Sequence, residues 1–210
     1  MIAIFPCILS GRKSLVILWV FLLLLSSCGE EQAPIPKPRA FPRIYFPKKG
    51  GYRIAELPDC PFRFEIPAYA RIEKDPDFFK EKAPNPCWFN VFYPDFNARI
   101  HFSYYDVRSE KDLFKYINDA FKMAGKHTSK ANYIDERVLA KPNGVYGRIF
   151  EIEGPAASPL QFYLTDSVSH YIRGSLYVKA KIQTDSLAPI YDFIKEDMAQ
   201  LFNSFAWKKS

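Results

Sequence analysis

Apolar and polar positions change rhythm several times along the chain, and each change marks an element. Eleven unbroken apolar residues run from Leu15 to Leu25. Further on, Phe62-Arg63-Phe64-Glu65-Ile66 and Ala98-Arg99-Ile100-His101-Phe102-Ser103-Tyr104 alternate with period two, as half-buried strands do. Trp88 to Tyr93 is a short aromatic strand, and the brief connection Pro94 to Asn97 makes it a hairpin with the strand after it. Arg43 to Phe46 is a candidate first strand. Glu136 to Ala140 and Val145 to Glu153 flank Lys141-Pro142-Asn143-Gly144, where Asn-Gly is a strong hairpin turn signal. Leu160 to Thr165 and His170 to Lys179 pair across Asp166-Ser167-Val168-Ser169.

Two segments change to helical spacing. Ser109 to Gly125 starts with a residue suited to cap the helix and places Leu113, Ile117, Ala120, Phe121 and Ala124 on one face. Gly125 stands where a helix end favours positive φ. The last helix opens at Asp185 or Ser186, tolerates Pro189 in its first turn, and carries a stripe of Leu187, Ile190, Ile194, Leu201 and Phe205. These elements predict an α+β fold, an antiparallel sheet with two helices packed on one of its faces. The aromatic share of 17% and the excess of Pro (17) over Gly (9) agree with stiffly connected strands rather than a helical bundle.

The first apolar run has a different meaning. It is shorter than the ~20 residues a membrane-spanning helix needs. Arg12 and Lys13 precede it, and Leu25-Ser26-Ser27-Cys28 follows, so it reads as the core of an export signal ending in a lipobox. Residues 1–27 are the expected signal peptide, and Cys28 is the expected site of lipid attachment. One acyl chain anchors a protein marginally, whereas the two or three chains of a bacterial lipoprotein anchor it stably. Residues 28–47 form the tether, with Pro34, Pro36, Pro38, Pro42 and Pro47 keeping it extended. Residues 48–210 remain for a single domain. The location implied is the cell envelope, with the domain outside the cytoplasm and the partner a membrane lipid held through Cys28.

The formal charge of +6 falls to about +4 once Arg12 and Lys13 leave with the signal. With no basic run and no nucleic-acid motif, nucleic acid is not an expected partner. Cys60 and Cys87 remain after the signal is cut and Cys28 is acylated. An oxidising compartment and an even count favour a disulfide between them over two separate thiols. No ligand spacing joins His101, His127 and His170, so neither a metal nor a cofactor is expected. His101 is expected on the solvent side of its strand, and His127 beside the C-terminal carbonyls of the first helix. The densest polar cluster is Asp166, Ser167, Ser169 and His170. It holds the residue types of a catalytic triad, but neighbours in sequence rarely converge that way, and a hydrogen-bonded turn is the plainer reading.

The tether with Pro36-Lys37-Pro38-Arg39 and Tyr45-Phe46-Pro47 belongs to a wider pattern. So do Cys60-Pro61-Phe62-Arg63-Phe64, Cys87-Trp88-Phe89-Asn90, Ile100 to Tyr104, Gly154 to Ser158, Gln161 to Ser167 and Gly174-Ser175-Leu176-Tyr177. Together with the lipobox they resemble the gliding motility lipoprotein GldD family. The resemblance implies an envelope component of gliding and of the associated type IX secretion machinery, and it carries over no catalytic motif. Three functions follow: an accessory or assembly lipoprotein that contacts envelope proteins of that machinery, an envelope hydrolase built on residues 166–170, or a module binding glycan or peptide through exposed aromatics. Replacing Cys28 by Ala should abolish incorporation of labelled palmitate and move the protein out of the membrane fraction. Retained label and membrane association would contradict the lipobox.

Overall fold

The computed structural model describes residues 43–74, 83–179 and 187–208. The export signal, Cys28, the tether through Pro42, and the helix start at Asp185 or Ser186 lie outside these residues. Eleven strands are described: β1 (Tyr52–Ile54), β2 (Phe62–Arg63), β3 (Glu65–Pro67), β4 (Arg71–Glu73), β5 (Phe89–Tyr93), β6 (Ala98–Asp106), β7 (Tyr133–Lys141), β8 (Val145–Glu153), β9 (Leu160–Thr165), β10 (His170–Val178) and β11 (Ala206–Trp207). Two helices accompany them, α1 (Glu110–Gly125) and α2 (Ala188–Ser204).

Seven strands form one antiparallel sheet in the order β4-β5-β6-β10-β9-β8-β7. The chain lays down β4, β5 and β6 as a meander, crosses to the far edge through α1, and returns through β7, β8 and β9. β10 closes the sheet by pairing along its length with β6, from His170 opposite Asp106 to Val178 opposite Ala98. The tight connections follow local chemistry. Gly144 adopts φ +76° in the β7–β8 turn and donates its N–H to the Lys141 carbonyl at 3.2 Å. A 3-10 turn over Pro94–Phe96 joins β5 to β6, with Asn97 left-handed at its end.

The α+β class stands, but the helices lie on opposite faces of the sheet rather than on one. On one face, Phe89, Ile100, Phe102, Ile172 and Phe162 pack with Ile190, Ile194, Met198 and Leu201 of α2. On the other, Phe150, Tyr163 and Tyr171 pack with Ala120 and Ala124 of α1. The alternating strands predict one wet face because Tyr, His and Ser occupy the second set of positions. In the fold, tyrosine rings serve there as apolar surface, and their hydroxyls find carbonyls: Tyr171 Oη donates to the Tyr116 carbonyl of α1 at 3.0 Å. All six residues of β9 are consequently buried.

Other boundaries move for similar reasons. Arg43 to Phe46 forms no strand, and the first strand is β1, which pairs with β3. The single strand expected over Phe62 to Ile66 splits in two: β2 pairs with β11 and β3 with β1. Ser109 caps α1 as expected, its Oγ accepting the Asp112 N–H at 3.2 Å. Gly125 lies inside the helix with a negative φ, and the chain continues through Lys126 in right-handed geometry. Pro189 sits in the first turn of α2. At the other end of α2, Lys141 Nζ donates to the carbonyls of Phe202, Asn203 and Phe205 at 2.9, 2.8 and 2.7 Å. A cation there satisfies carbonyls that the helix leaves unpaired and opposes its dipole.

Cys60 and Cys87 are joined in a disulfide, with Cα atoms 5.6 Å apart, across 27 residues of sequence. In the chain-entropy account a loop of that length stabilises by about 3–4 kcal/mol. The bond ties the β1–β3 region to the start of β5. Beside it lies a run of rings: Phe89 on Phe102 at 4.9 Å, Phe64 on Phe102 at 5.4 Å and Phe62 on Phe205 at 5.8 Å.

Gly174, in the middle of β10, is required by close approach. A Cβ there would stand 2.1 Å from the Phe162 ring. That ring is held edge-on between Phe102 at 5.6 Å and Phe202 at 4.9 Å, so it has nowhere to move. Gly174→Ala is expected to cost about 1–3 kcal/mol by overpacking. Urea unfolding measures it, and an unchanged midpoint would show that the core yields there.

Candidate functional site

The polar cluster from the sequence occupies the β9–β10 turn. Asp166 Oδ1 accepts the backbone N–H groups of Val168, Ser169 and His170 at 3.0, 2.9 and 2.8 Å. Thr165 Oγ1 accepts the Ser167 N–H at 2.9 Å and donates to the His170 carbonyl at 2.6 Å. Ser167 is thereby held at φ +67°. Partial burial pushes the Asp166 carboxyl up, but the three N–H donors and His170 outweigh it and hold the group below its usual range. The carboxylate is engaged in shaping the turn.

His170 turns away from Ser167. Its Nδ1 lies 2.7 Å from Tyr104 Oη, and Tyr104 Oη donates to Asp106 Oδ1 at 2.8 Å. Since the phenol has one proton and gives it to Asp106, Nδ1 of His170 carries a proton and donates it to Tyr104 Oη. Burial first, and then Asp106, push the Tyr104 phenol well up, so it stays protonated. The His170 ring stacks on Trp207 at 5.1 Å. No hydrogen bond joins Ser167 Oγ to His170 among the described residues, so Asp166, Ser167 and His170 are brought near one another without forming a triad.

Beside Trp207 opens a cleft of about 850 Å³ lined by Arg63, Asn143, Asp166, Ala206, Trp207 and Lys208. Lys208 Nζ is occupied by the Leu57 and Pro58 carbonyls at 2.9 and 3.3 Å. Trp207 Nε1 is the one buried side-chain donor without an acceptor among the described residues. The cleft offers an aromatic wall at Trp207 and, at Arg63, a cation with no acceptor among the described residues, while His170 stacks on Trp207 without lining the cleft. It has room for a ligand, and among the described residues no base is hydrogen-bonded to a nucleophile there. Tyr104 and Asp106 of β6, Arg63 of β2 and Trp207 of β11 were missed in the sequence because their three strands lie far apart along the chain. The register of β6 against β10, which sets His170 opposite Asp106, was the signal that could have found two of them.

The other histidines have local roles. His101 is half-buried on the α1 face, with Nδ1 2.6 Å from Asn90 Oδ1 and its ring against Tyr177. Its strand position is therefore away from the α2 core, as the alternation predicts, yet largely enclosed. The His127 N–H bonds the Ala124 carbonyl at the end of α1 at 3.1 Å. Burial, and then the charges of Arg173 and Lys130, hold its imidazole below the usual range.

A second polar centre lies under α2. Asp197 is 1% exposed and accepts from Tyr69 Oη at 2.5 Å and Tyr52 Oη at 3.1 Å. Burial pushes its carboxyl up against the pull of the two phenols and Lys49. The trio clamps β1 and the Tyr69 turn onto the helix. Among the described residues no group of His, Cys, Asp or Glu could hold a metal, and no helix is long and apolar enough to cross a membrane.

Residues 31–207 match the model of a family described as gliding motility lipoprotein GldD. No curated protein matches the chain.

Because the folded Asp166 carboxyl sits below its unfolded value, its contribution is present above the unfolded pKa and is lost as pH falls through the folded one. Asp166→Ala should therefore destabilise the protein by about 1–2 kcal/mol at pH 7, from the lost N–H acceptor. The gap from wild type should narrow as pH is lowered below about 4. Denaturant unfolding at the two pH values tests this, and a gap independent of pH would contradict it.

Proposed function

The chain belongs to the gliding motility lipoprotein GldD family, and from that premise we propose that it is an accessory or assembly component of the gliding and type IX secretion machinery, acting in the envelope through protein contacts. Lipid on Cys28 anchors it, and the Pro-rich tether carries the domain away from the membrane surface. The family match runs from residue 31 through most of the tether and the whole sheet to residue 207, and Cys28 lies three residues before it.

The structural observation that carries the reading is the outer edge of the sheet. β7 is nine residues long and ends the strand order, and no described strand pairs with its outer side. Tyr133 and Val138 on it are 60% and 70% exposed. An open edge of that length is a template for an added strand, with backbone groups supplying affinity and alternate side chains supplying selectivity. Arg137 paired with Glu151, and Glu136 paired with Arg148, place charge along the edge and limit indiscriminate pairing. An extended segment of an envelope protein is the matching partner.

The glycan- or peptide-binding alternative draws on the cleft beside Trp207. A crosslinked pull-down from intact cells separates the readings. The lipidated protein should recover motility or secretion proteins, Cys28→Ala should lose them, and Val138→Lys, placed on the open edge, should lower recovery severalfold. Recovery of no envelope protein by any form would sink the contact reading and leave the cleft as the place to look for function.

A further inference from the structure

The open edge of β7 carries its own complement. Its side chains alternate between the two faces of the sheet. Ile134 packs with the α1 core and Leu139 with the α2 core, which fixes the two sets. Ile134, Glu136 and Val138 therefore lie on the α1 face, and Tyr133, Asp135, Arg137 and Leu139 on the α2 face. Among the charged residues Asp135 stands apart. Arg137 is paired with Glu151 and Glu136 with Arg148, both across on β8. Asp135 stands opposite Glu151, a like charge, and its carboxylate has no ion pair among the described residues. Its own sheet gives it no cation of its own, and its outer side is open.

Two copies of β7 laid antiparallel about a twofold axis at Glu136 meet each of these positions. Asp135 then stands opposite Arg137 of the second copy, and the symmetry repeats the pair. Ile134 stands opposite Val138 on the α1 face, and Tyr133 opposite Leu139 on the α2 face, so both exposed apolar side chains of the edge gain a neighbour. Glu136 meets its own copy at the axis, where each carboxylate already has Arg148 at 3.2 Å. Opposed charges and apolar pairs of this kind contribute about 0.2–1 kcal/mol each across antiparallel strands. Neighbouring registers lose this match. An axis at Asp135 sets two aspartates together and Ile134 against Glu136. An axis at Arg137 sets two arginines together and Glu136 against Val138. A shift by one residue opposes side chains from different faces, against the pleat.

We propose that β7 pairs with β7 of a second copy of this chain, residues 133–139 antiparallel about Glu136, joining two seven-stranded sheets into one. This names the partner of the open edge and rests on the reading of that edge as a contact surface. The axis runs perpendicular to the sheet, so both copies keep α2 on the same side. The chain enters the domain on that side, with Phe46 against Phe193 of α2 at 5.1 Å. Both tethers thus start toward one membrane, and shared anchoring raises the effective concentration of the two edges.

The test is a cysteine at the axis. Glu136→Cys is made in the full chain, and intact cells are treated with diamide. Directly opposed Cα atoms lie about 4.5–5.5 Å apart, within the ~4.4–6.8 Å that a disulfide spans. Cys60 and Cys87 are bonded to each other and Cys28 is the expected lipid site, so the new thiol reacts alone. It should give a dimer of twice the chain mass on a non-reducing gel. Val138→Cys should give none above background, because the two copies of that position lie about 14 Å apart along the strands. Adding Asp135→Arg to Glu136→Cys, which breaks both charge pairs of the interface and no ion pair within the chain, should lower the dimer yield severalfold. Adding Arg137→Asp as well should restore it. No dimer from Glu136→Cys, or an equal yield from Val138→Cys, overturns the proposal. Capture of a different envelope protein by Glu136→Cys also overturns it, while the reading of the edge as a contact surface survives. That reading fails separately, if Val138→Lys leaves recovery in the pull-down unchanged. Should Glu136→Cys fail to accumulate, Asp135→Cys and Arg137→Cys expressed together decide: a mixed dimer formed only when both are present supports the pairing, and its absence overturns it.

Discussion

The pairing of β6 with β10 holds the two halves of this protein together. It joins residues 98–106 to residues 170–178, and between them lie a helix and three strands that must already have returned across the sheet. Once formed, it places apolar side chains of both halves on each face. Ile100, Phe102, Ile172 and Leu176 then face α2, while Tyr105 and Tyr171 face α1. Neither helix could find a continuous apolar surface on one half alone. A sheet buried on both faces in this way is why Gly174 has no room for a side chain.

Around that pairing the smaller elements act as fasteners. The disulfide between Cys60 and Cys87 ties the short strands β1–β3 to β5, and both cysteines share one core cluster with the stacked phenylalanines. Asp197 draws Tyr52 and Tyr69 onto α2, and Lys141 closes the other end of that helix from across the sheet. In each case a polar group is buried only where several partners meet it, which is what the cost of burial demands.

The functional surfaces lie where this packing stops. The β9–β10 turn uses Asp166 and Thr165 to hold itself, so the residues that looked most like chemistry are engaged in structure. What the turn leaves at the surface is His170, aligned by Tyr104 and stacked on Trp207 over a cleft. At one edge of the sheet, no described strand pairs with the outer side of β7. The chain belongs to the gliding motility lipoprotein GldD family, and the edge and the cleft are the surfaces the proposed contact role would use.

The sequence by itself determined what adjacent residues decide. The Ser109 cap, the Asn143-Gly144 turn and the apolar stripes of both helices depend on neighbours within a few positions, and such interactions are written in local order. The same is true of the hairpins β5–β6, β7–β8 and β9–β10. Only the tertiary structure decided the placement of the helices on opposite faces, the division of Phe62 to Ile66 between two partners, and the union of His170 with Tyr104. It alone decided the burial of Asp197 under Tyr69 and Tyr52. Those contacts join positions 66, 128 and 145 residues apart. Local alternation says only that a position faces one side of a strand, and which element comes to cover that side is settled by the closure of the whole sheet.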